Sequence, residues 1–339
     1  MKNKILSLLL IVITSAGSAF ADFDYSYYVT VDKKHYYLDT ENHTAELSDS
    51  GNRNAESLTI PSTISYNGIT YTVTSIGRQA IVNHKNLVSV SIPNTITNIG
   101  DAAFHGCSKL ESIVIPNNVE NIGGSAFANC SALNNVTIGE HVKRIGEQAF
   151  IECSNLTTIV IPDSVSHIGF QVFFNCTNLT SVVIGDGLTD LSYGTFTHCA
   201  NLQTVIIGNN VLEIGSAVFA NCSSLSSITI PSSVRNINFS FMNCIGLTSV
   251  TCMASEPPTI YNGFYGVDCS NIPLYVPQGS VDDYQSANEW KDFQPIRGIN
   301  EEGIINVNTQ QQTKKYIDKG KVFIAADNKI YTISGQEVE

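Results

Sequence analysis

Charge is scarce in this sequence, and what there is leans one way. Charged residues make up 14% of the 339 positions, with 30 acidic side chains against 18 basic ones. Without Lys2 and Lys4, which precede the expected cleavage point, 16 basic residues face the same 30 acids, leaving −14. A chain this acidic is repelled by phosphate backbones and anionic lipid, which argues against nucleic acid or a membrane surface as the main partner. The motifs of common chemistries are also missing. There is no His-Glu-x-x-His, no Gly-x-Ser-x-Gly, no phosphate loop, no dinucleotide fingerprint and no Cys-x-x-Cys. Of the seven histidines (His35, His43, His84, His105, His141, His167 and His198), the three that fall near a recurring turn share no column. No metal site and no cofactor are expected. Acids such as Asp101, Glu111, Glu120, Glu140 and Asp163 are scattered, and nothing pairs them in a cleft.

The N-terminus reads as an export signal. Lys2 and Lys4 supply the positive region, Ile5 to Ile13 an apolar run, and Ala19-Phe20-Ala21 a small-x-small cleavage site. The run is too short for a mature helix to span a bilayer, which takes about 20 residues. Residues 1–21 are therefore expected to be removed, and the mature chain is expected outside the cytoplasm without membrane insertion.

What the sequence does have is a repeat. Cys107, Cys130, Cys153, Cys176, Cys199 and Cys222 follow one another at intervals of 23, and Cys244 comes 22 later. Three positions before each stands a Phe: Phe104, Phe127, Phe150, Phe173, Phe196, Phe219 and Phe241. Three positions after each stands a Leu: Leu110, Leu133, Leu156, Leu179, Leu202, Leu225 and Leu247. A short alternating run follows each Leu, as in Ile113-Val114-Ile115-Pro116 and Ile159-Val160-Ile161-Pro162. Pro or Gly closes it, because Pro cannot donate to a ladder and Gly allows a sharp bend. An Ile-Gly pair comes next (Ile99-Gly100, Ile122-Gly123, Ile145-Gly146, Ile168-Gly169, Ile214-Gly215), and Phe-x-x-Cys then suits a tight helical turn. One such unit cannot cover its own apolar faces against the entropy of ordering its backbone, so units must stack. Nine strand segments, from Leu58-Thr59-Ile60 to Val250-Thr251-Cys252, predict a parallel sheet about 38 Å long at ~4.8 Å per strand.

Leu-x-x-Ile-x-Ile-Pro, Ile-Gly and Ala-Phe-x-x-Cys at a period of 23 resemble the BspA-like leucine-rich repeats of bacterial surface proteins. The resemblance covers residues 57–253. It extends to Pro257-Pro258, Leu274-Tyr275-Val276-Pro277 and Trp290-Lys291-Asp292-Phe293, which look like that family's C-terminal cap. It implies a right-handed leucine-rich-repeat solenoid, mainly β with short helical turns, capped at both ends. It also implies adhesion or host-protein binding, without a shared ligand or any binding residue to carry over.

Around the solenoid, residues 22–56 read as an N-terminal β cap with strands Tyr25 to Val31 and Tyr36 to Leu47. Asn67-Gly68 reads as a hairpin turn. Residues 254–300 read as the opposite cap, with Trp290 and Phe293 over the last open core. Residues 301–339 read as a polar linker around Asn306 to Thr313 and a small β tail. That tail, from Lys321 to Gly335, looks like the beginning of the C-terminal β-domains of secreted Bacteroidetes-type proteins. In the first unit Ile81 and His84 stand where Phe and Cys are expected, and Leu191-Ser192 replaces one Ile-Gly.

Seven of the nine cysteines share one column and Cys252 takes an inward strand position, which favours buried free thiols over a disulfide framework. Asn-x-Ser/Thr triplets such as Asn129-Cys130-Ser131 and Asn175-Cys176-Thr177 arise from the repeat itself. The outward strand positions form two columns. One holds Ser89, Ser112, Asn135, Thr158, Ser181, Thr204, Ser227 and Ser249; the other holds Ser91, Val114, Thr137, Val160, Val183, Ile206, Thr229 and Thr251. Neither contains a charge. Such a face suits hydrogen bonding and apolar contact, although β-branched residues also simply favour strands. The expected contact surface centres on Thr158, Val160, Ser181, Val183, Thr204 and Ile206. A non-enzymatic role in binding a protein or cell-surface macromolecule is the leading expectation. A structural envelope protein is the alternative, with an enzyme and an ice-binding surface behind it. Cell surface, medium and periplasm are all open destinations.

Overall fold

The computed structural model describes residues 27–299 in full, together with the backbone of four C-terminal strands, Lys314–Asp318, Lys321–Ala326, Lys329–Thr332 and Glu337–Val338. The expected export signal and the expected linker around Asn306 to Thr313 lie outside the described residues.

The 23-residue unit builds a β-solenoid with two rows of strands and very little helix. The first row holds the nine segments read from sequence, beginning with Ser57–Thr59, Ser89–Ser91, Ser112–Val114 and Asn135–Thr137. It continues through Thr158–Ile161, Ser181–Ile184, Thr204–Ile206, Ser227–Ile230 and Ser249–Cys252. Two further parallel strands, Leu274–Pro277 and Ile296–Ile299, prolong this row into the C-terminal cap. The second row was not expected. It consists of two- and three-residue strands ending at or near the Ile of Ile-Gly, such as Asn98–Ile99, Asn121–Ile122 and Arg144–Ile145, paired in parallel. The Gly that follows permits the approach. A Cβ on Gly146 would sit 2.5 Å from Gly124 N and 2.6 Å from Gly123 C, both backbone atoms of the preceding coil.

The Phe-x-x-Cys stretch forms a third hydrogen-bonded track. Its local bonds are those of a helical turn, Ala128 N to Ser125 O at 3.1 Å and Cys130 N to Phe127 O at 3.2 Å. It does not propagate as helix, because Ser125 (φ 54°) and Asn129 (φ 59°) adopt left-handed conformations. Those reversals let alternate N–H groups point along the solenoid axis: Ser125 N, Phe127 N and Asn129 N donate to Glu147 O, Ala149 O and Ile151 O at 2.8, 2.8 and 2.9 Å. Asn is among the few L-residues that tolerate this conformation. That accounts for Asn129 and Asn175 in the Asn-Cys-Ser/Thr triplets as backbone devices.

The interior is a stack. Phe104 through Phe241 lie ring on ring, with centroids 5.0–5.5 Å apart and planes within 11°. Phe264 adds one more ring, 5.0 Å from Phe241. Phe293 then meets Phe264 edge-on at 4.9 Å and Trp290 meets it at 6.2 Å, ending the stack. All of the cysteines are free thiols, and all but Cys269 are buried. Each column cysteine donates to a carbonyl of the preceding coil, as Cys130 Sγ does to Phe104 O at 3.2 Å and Cys153 Sγ to Phe127 O at 3.2 Å.

At the N-terminal end, Tyr28–Val31, Lys34–Asp39 and Thr44–Asp49 form an antiparallel meander whose last strand runs parallel to Ile69–Ile76. The single strand expected from Tyr36 to Leu47 is therefore two. The break falls where Asp39 Oδ1 accepts from Glu41 N and Asn42 N at 3.0 and 2.9 Å, an Asx turn, and where His43 reaches φ 52°. The Asn-Gly hairpin forms as expected, Thr63–Tyr66 against Ile69–Ile76, with Asn67 at φ 50° and Gly68 at φ 79°.

Candidate binding face

Strand alternation turns every second residue of the first row outward. In-register pairing then lines those residues up: Thr158 with Ser181 and Thr204, and Val160 with Val183 and Ile206. All six residues singled out from sequence thus come together as a two-by-three array. Adjacent strands lie about 4.8 Å apart and residues of one column pair about 6.8 Å apart along the strand. The array is hydroxyl-rich along one column, aliphatic along the other, and uncharged.

Its exposure differs from the sequence reading. Outward positions were expected to be open all along the row, and at both ends of the array they are: Ser112, Asn135, Thr137, Ser227 and Thr229 are exposed, and Val114 is 63% exposed. At the centre Ser181 is 2% and Val183 1% exposed, while Thr158, Val160, Thr204 and Ile206 are half-buried. Val183 does not owe this to the solenoid interior, where Val182 and Ile184 pack without it. The cover comes from the far end of the chain. Strand Lys314–Asp318 lies against Thr158–Ile161 and Ser181–Ile184, and Lys321–Ala326, antiparallel to it, also lies on Ser181–Ile184. Under this cover Ser181 Oγ is buried without a hydrogen-bond partner.

No column of the repeat contains this cover, which joins strands at least 130 residues apart in the sequence. A signal was nonetheless present. Residues 314–332 carry Lys314, Lys315, Lys319, Lys321 and Lys329 against only Asp318 and Asp327, a basic stretch on an acidic chain.

Two depressions elsewhere are shallow. One, of about 500 Å³, is spanned by the ion pair of Lys143 Nζ and Glu120 Oε2 at 2.9 Å. The other, of about 520 Å³, lies beside Glu289, whose carboxylate is occupied by Asn262 N and Gly263 N at 2.8 and 3.1 Å. Among the described residues no group of three or more His, Cys, Asp or Glu side chains could hold a metal ion. Nor is any helix there long and apolar enough to cross a membrane. The thiols are poor nucleophiles. Burial pushes Cys107 up to about 11 and Cys176 and Cys244 up to about 12.

Comparison with known proteins agrees with this geometry. The model of the BspA type leucine rich repeat region matches in six copies over residues 51–176 and 143–272. Among solved structures, a leucine-rich repeat protein of T. pallidum superposes with a TM-score of 0.53 at 28% identity, covering 58% of this chain and 90% of its own. A leucine-rich cell surface protein of Faecalibacterium prausnitzii gives 0.55 at 22% identity, covering 81% and 95%. No curated protein sequence matches the chain.

Proposed function

The chain belongs to the BspA-type leucine-rich repeat family, and from that premise we propose that it is an exported, non-enzymatic binding module. Its ligand is a protein or other macromolecule on a host or neighbouring cell, held by the uncharged face centred on Thr158, Val160, Ser181, Val183, Thr204 and Ile206. Members of this family are built as protein-interaction modules, and the solenoid offers a long regular surface. One observation carries the reading. The chain has 48 charged side chains, yet none occupies either outward column of the nine repeat strands from Ser57–Thr59 to Ser249–Cys252, and Arg297, in register with Tyr275 and Thr251, is a charge in that column on the last strand beyond them. A face left to solvent has no reason to exclude charge, whereas the desolvated centre of an interface does. Export is supported by Lys2, Lys4, the apolar run and Ala19-Phe20-Ala21, and the cell surface is the destination that suits such a face.

A binding screen tests this. The full chain, and a form with residues 314–332 replaced by a Gly/Ser sequence of equal length, are passed over immobilised extracellular-matrix and cell-surface proteins. A saturable hit should persist at high salt and fall at least tenfold with Val160→Lys or Ile206→Lys, as for loss of an interface centre worth about 1.4 kcal/mol or more. A hit indifferent to both substitutions places binding elsewhere. No hit from either folded form points to a structural role in the envelope.

A further inference from the structure

We propose that the C-terminal strands, Lys314–Asp318 and Lys321–Ala326, are a resident occupant of the binding face, and that a macromolecular ligand reaches the face by displacing them. The proposal rests on the reading of that face as a binding surface and adds its regulation.

Three observations carry it. The first is the shape of the footprint. Along one row of chemically similar residues, exposure drops at three consecutive coils and returns on either side: Val114 is 63% exposed, Val183 1%, and Thr229 is exposed again. A patch three strands wide measures about 14 Å, which is wide enough for two paired strands at ~4.8 Å spacing. The second is reach. The last strand of the C-terminal cap ends at Ile299 and the occupant begins at Lys314. The 14 intervening residues can extend about 46–50 Å. In the first row, Ile296–Ile299 stands five strands from Ser181–Ile184, a distance of about 24 Å. Fourteen residues are thus long enough to cover that distance, and an intramolecular segment held so close competes at a high effective concentration.

The third is balance. Residues 314–332 carry a net +3 and the mature chain as a whole −14, so long-range attraction favours the docked state. The docked state is nevertheless imperfect, because Ser181 Oγ has lost water and gained no partner. A buried hydroxyl left unpaired weakens the contact that covers it. A ligand offering an acceptor or donor at Ser181, along with apolar contact at Val183, has an advantage over the strands it displaces.

Thiol accessibility tests the cover directly and needs no ligand. In a Cys269→Ser background every remaining native cysteine is buried, so one introduced thiol reports alone. Val183→Cys and Val114→Cys are each placed in the full chain and treated with a water-soluble maleimide. We expect Val183→Cys to react at least about tenfold more slowly, as for a site that reacts only from an open minority state. Replacing residues 314–332 by a Gly/Ser sequence of equal length should bring the two rates together. The eight native thiols staying unreactive shows that each variant is folded. Equal rates in the full chain, or protection that survives the replacement, would overturn the proposal. Neither result would touch the binding screen, so the two readings fail separately.

Discussion

His84 Nε2 lies 3.1 Å from Ser50 Oγ, a buried contact at the position where seven later coils place a cysteine. It ties the N-terminal meander to the first coil, and it leaves His84 Nδ1 buried without a partner in a side chain only 2% exposed. Burial, and behind it the Arg53 guanidinium, lowers the His84 pKa, with Asp49 pulling weakly the other way.

A pH dependence follows from the sign of that shift. The folded pKa lies below the unfolded one, so the neutral imidazole is the form that folds. Its contribution is complete above the unfolded value of about 6.5 and is lost as pH falls through that value toward the folded pKa. Between pH 7.5 and 5 the melting temperature should therefore fall further for the native chain than for His84→Cys, which restores the column residue. Comparing the two removes the contribution of every other acid and base. Equal pH profiles would show that His84 does not titrate on folding.

The Ile-Gly column predicts a graded response. Gly146→Ala puts a Cβ against the backbone of the preceding coil and should cost about 1–3 kcal/mol in denaturant unfolding. The chain tolerates one Ser in this column, where Ser192 Oγ donates to Ile168 O at 2.6 Å. Gly146→Ser should accordingly cost less than Gly146→Ala, by the worth of one hydrogen bond, about 1 kcal/mol. The reverse order would mean that the Ser192 bond does not offset the crowding.

The cysteines should be silent until the chain unfolds. Each column thiol is buried, and even partly exposed Cys269 is pushed up to about 12 by its burial and by Asp292, Asp268 and Glu289. Alkylation of the native protein at pH 8 should be slow at all nine, and denaturation without reductant should release all nine. A smaller count by mass would reveal disulfides.

Phe293→Ala should loosen the C-terminal cap before the rest. It removes the edge-on ring that closes the stack on Phe264, at a cost of about 3–5 kcal/mol if the loss is felt locally. Trp290, the only tryptophan, is buried with Nε1 donating to Pro258 O at 2.8 Å, so its fluorescence reports on the cap alone. In this variant the tryptophan transition should precede the loss of β-sheet circular dichroism, because a solenoid couples only neighbouring coils. Coincident transitions would mean that the cap and the coils unfold as one unit.

The first strand row and the Phe column could be read from the chain because each is local and repeated. The Ile-Gly row is not legible as strands in the sequence, because two residues are too short to show an alternation and only inter-coil pairing makes them strands. The division of Tyr36 to Leu47 into two strands depended on Asp39 capturing Glu41 N and Asn42 N, a choice that alternation alone does not reveal.

The amino-acid sequence by itself determined the architecture. A 23-residue spacing of Leu, Ile, Phe and Cys can bury its apolar faces only by stacking, and stacking aligns every column in space. It also determined that the outward face of the nine repeat strands carries no charge. What only the tertiary structure decided is which part of that face is open. Ser112 and Ser181, or Val114 and Val183, are equivalent in the repeat, and no local rule separates them. Their difference arises because a distant, tethered and oppositely charged segment lies over one and not the other, and such long-range contact follows from the folded geometry.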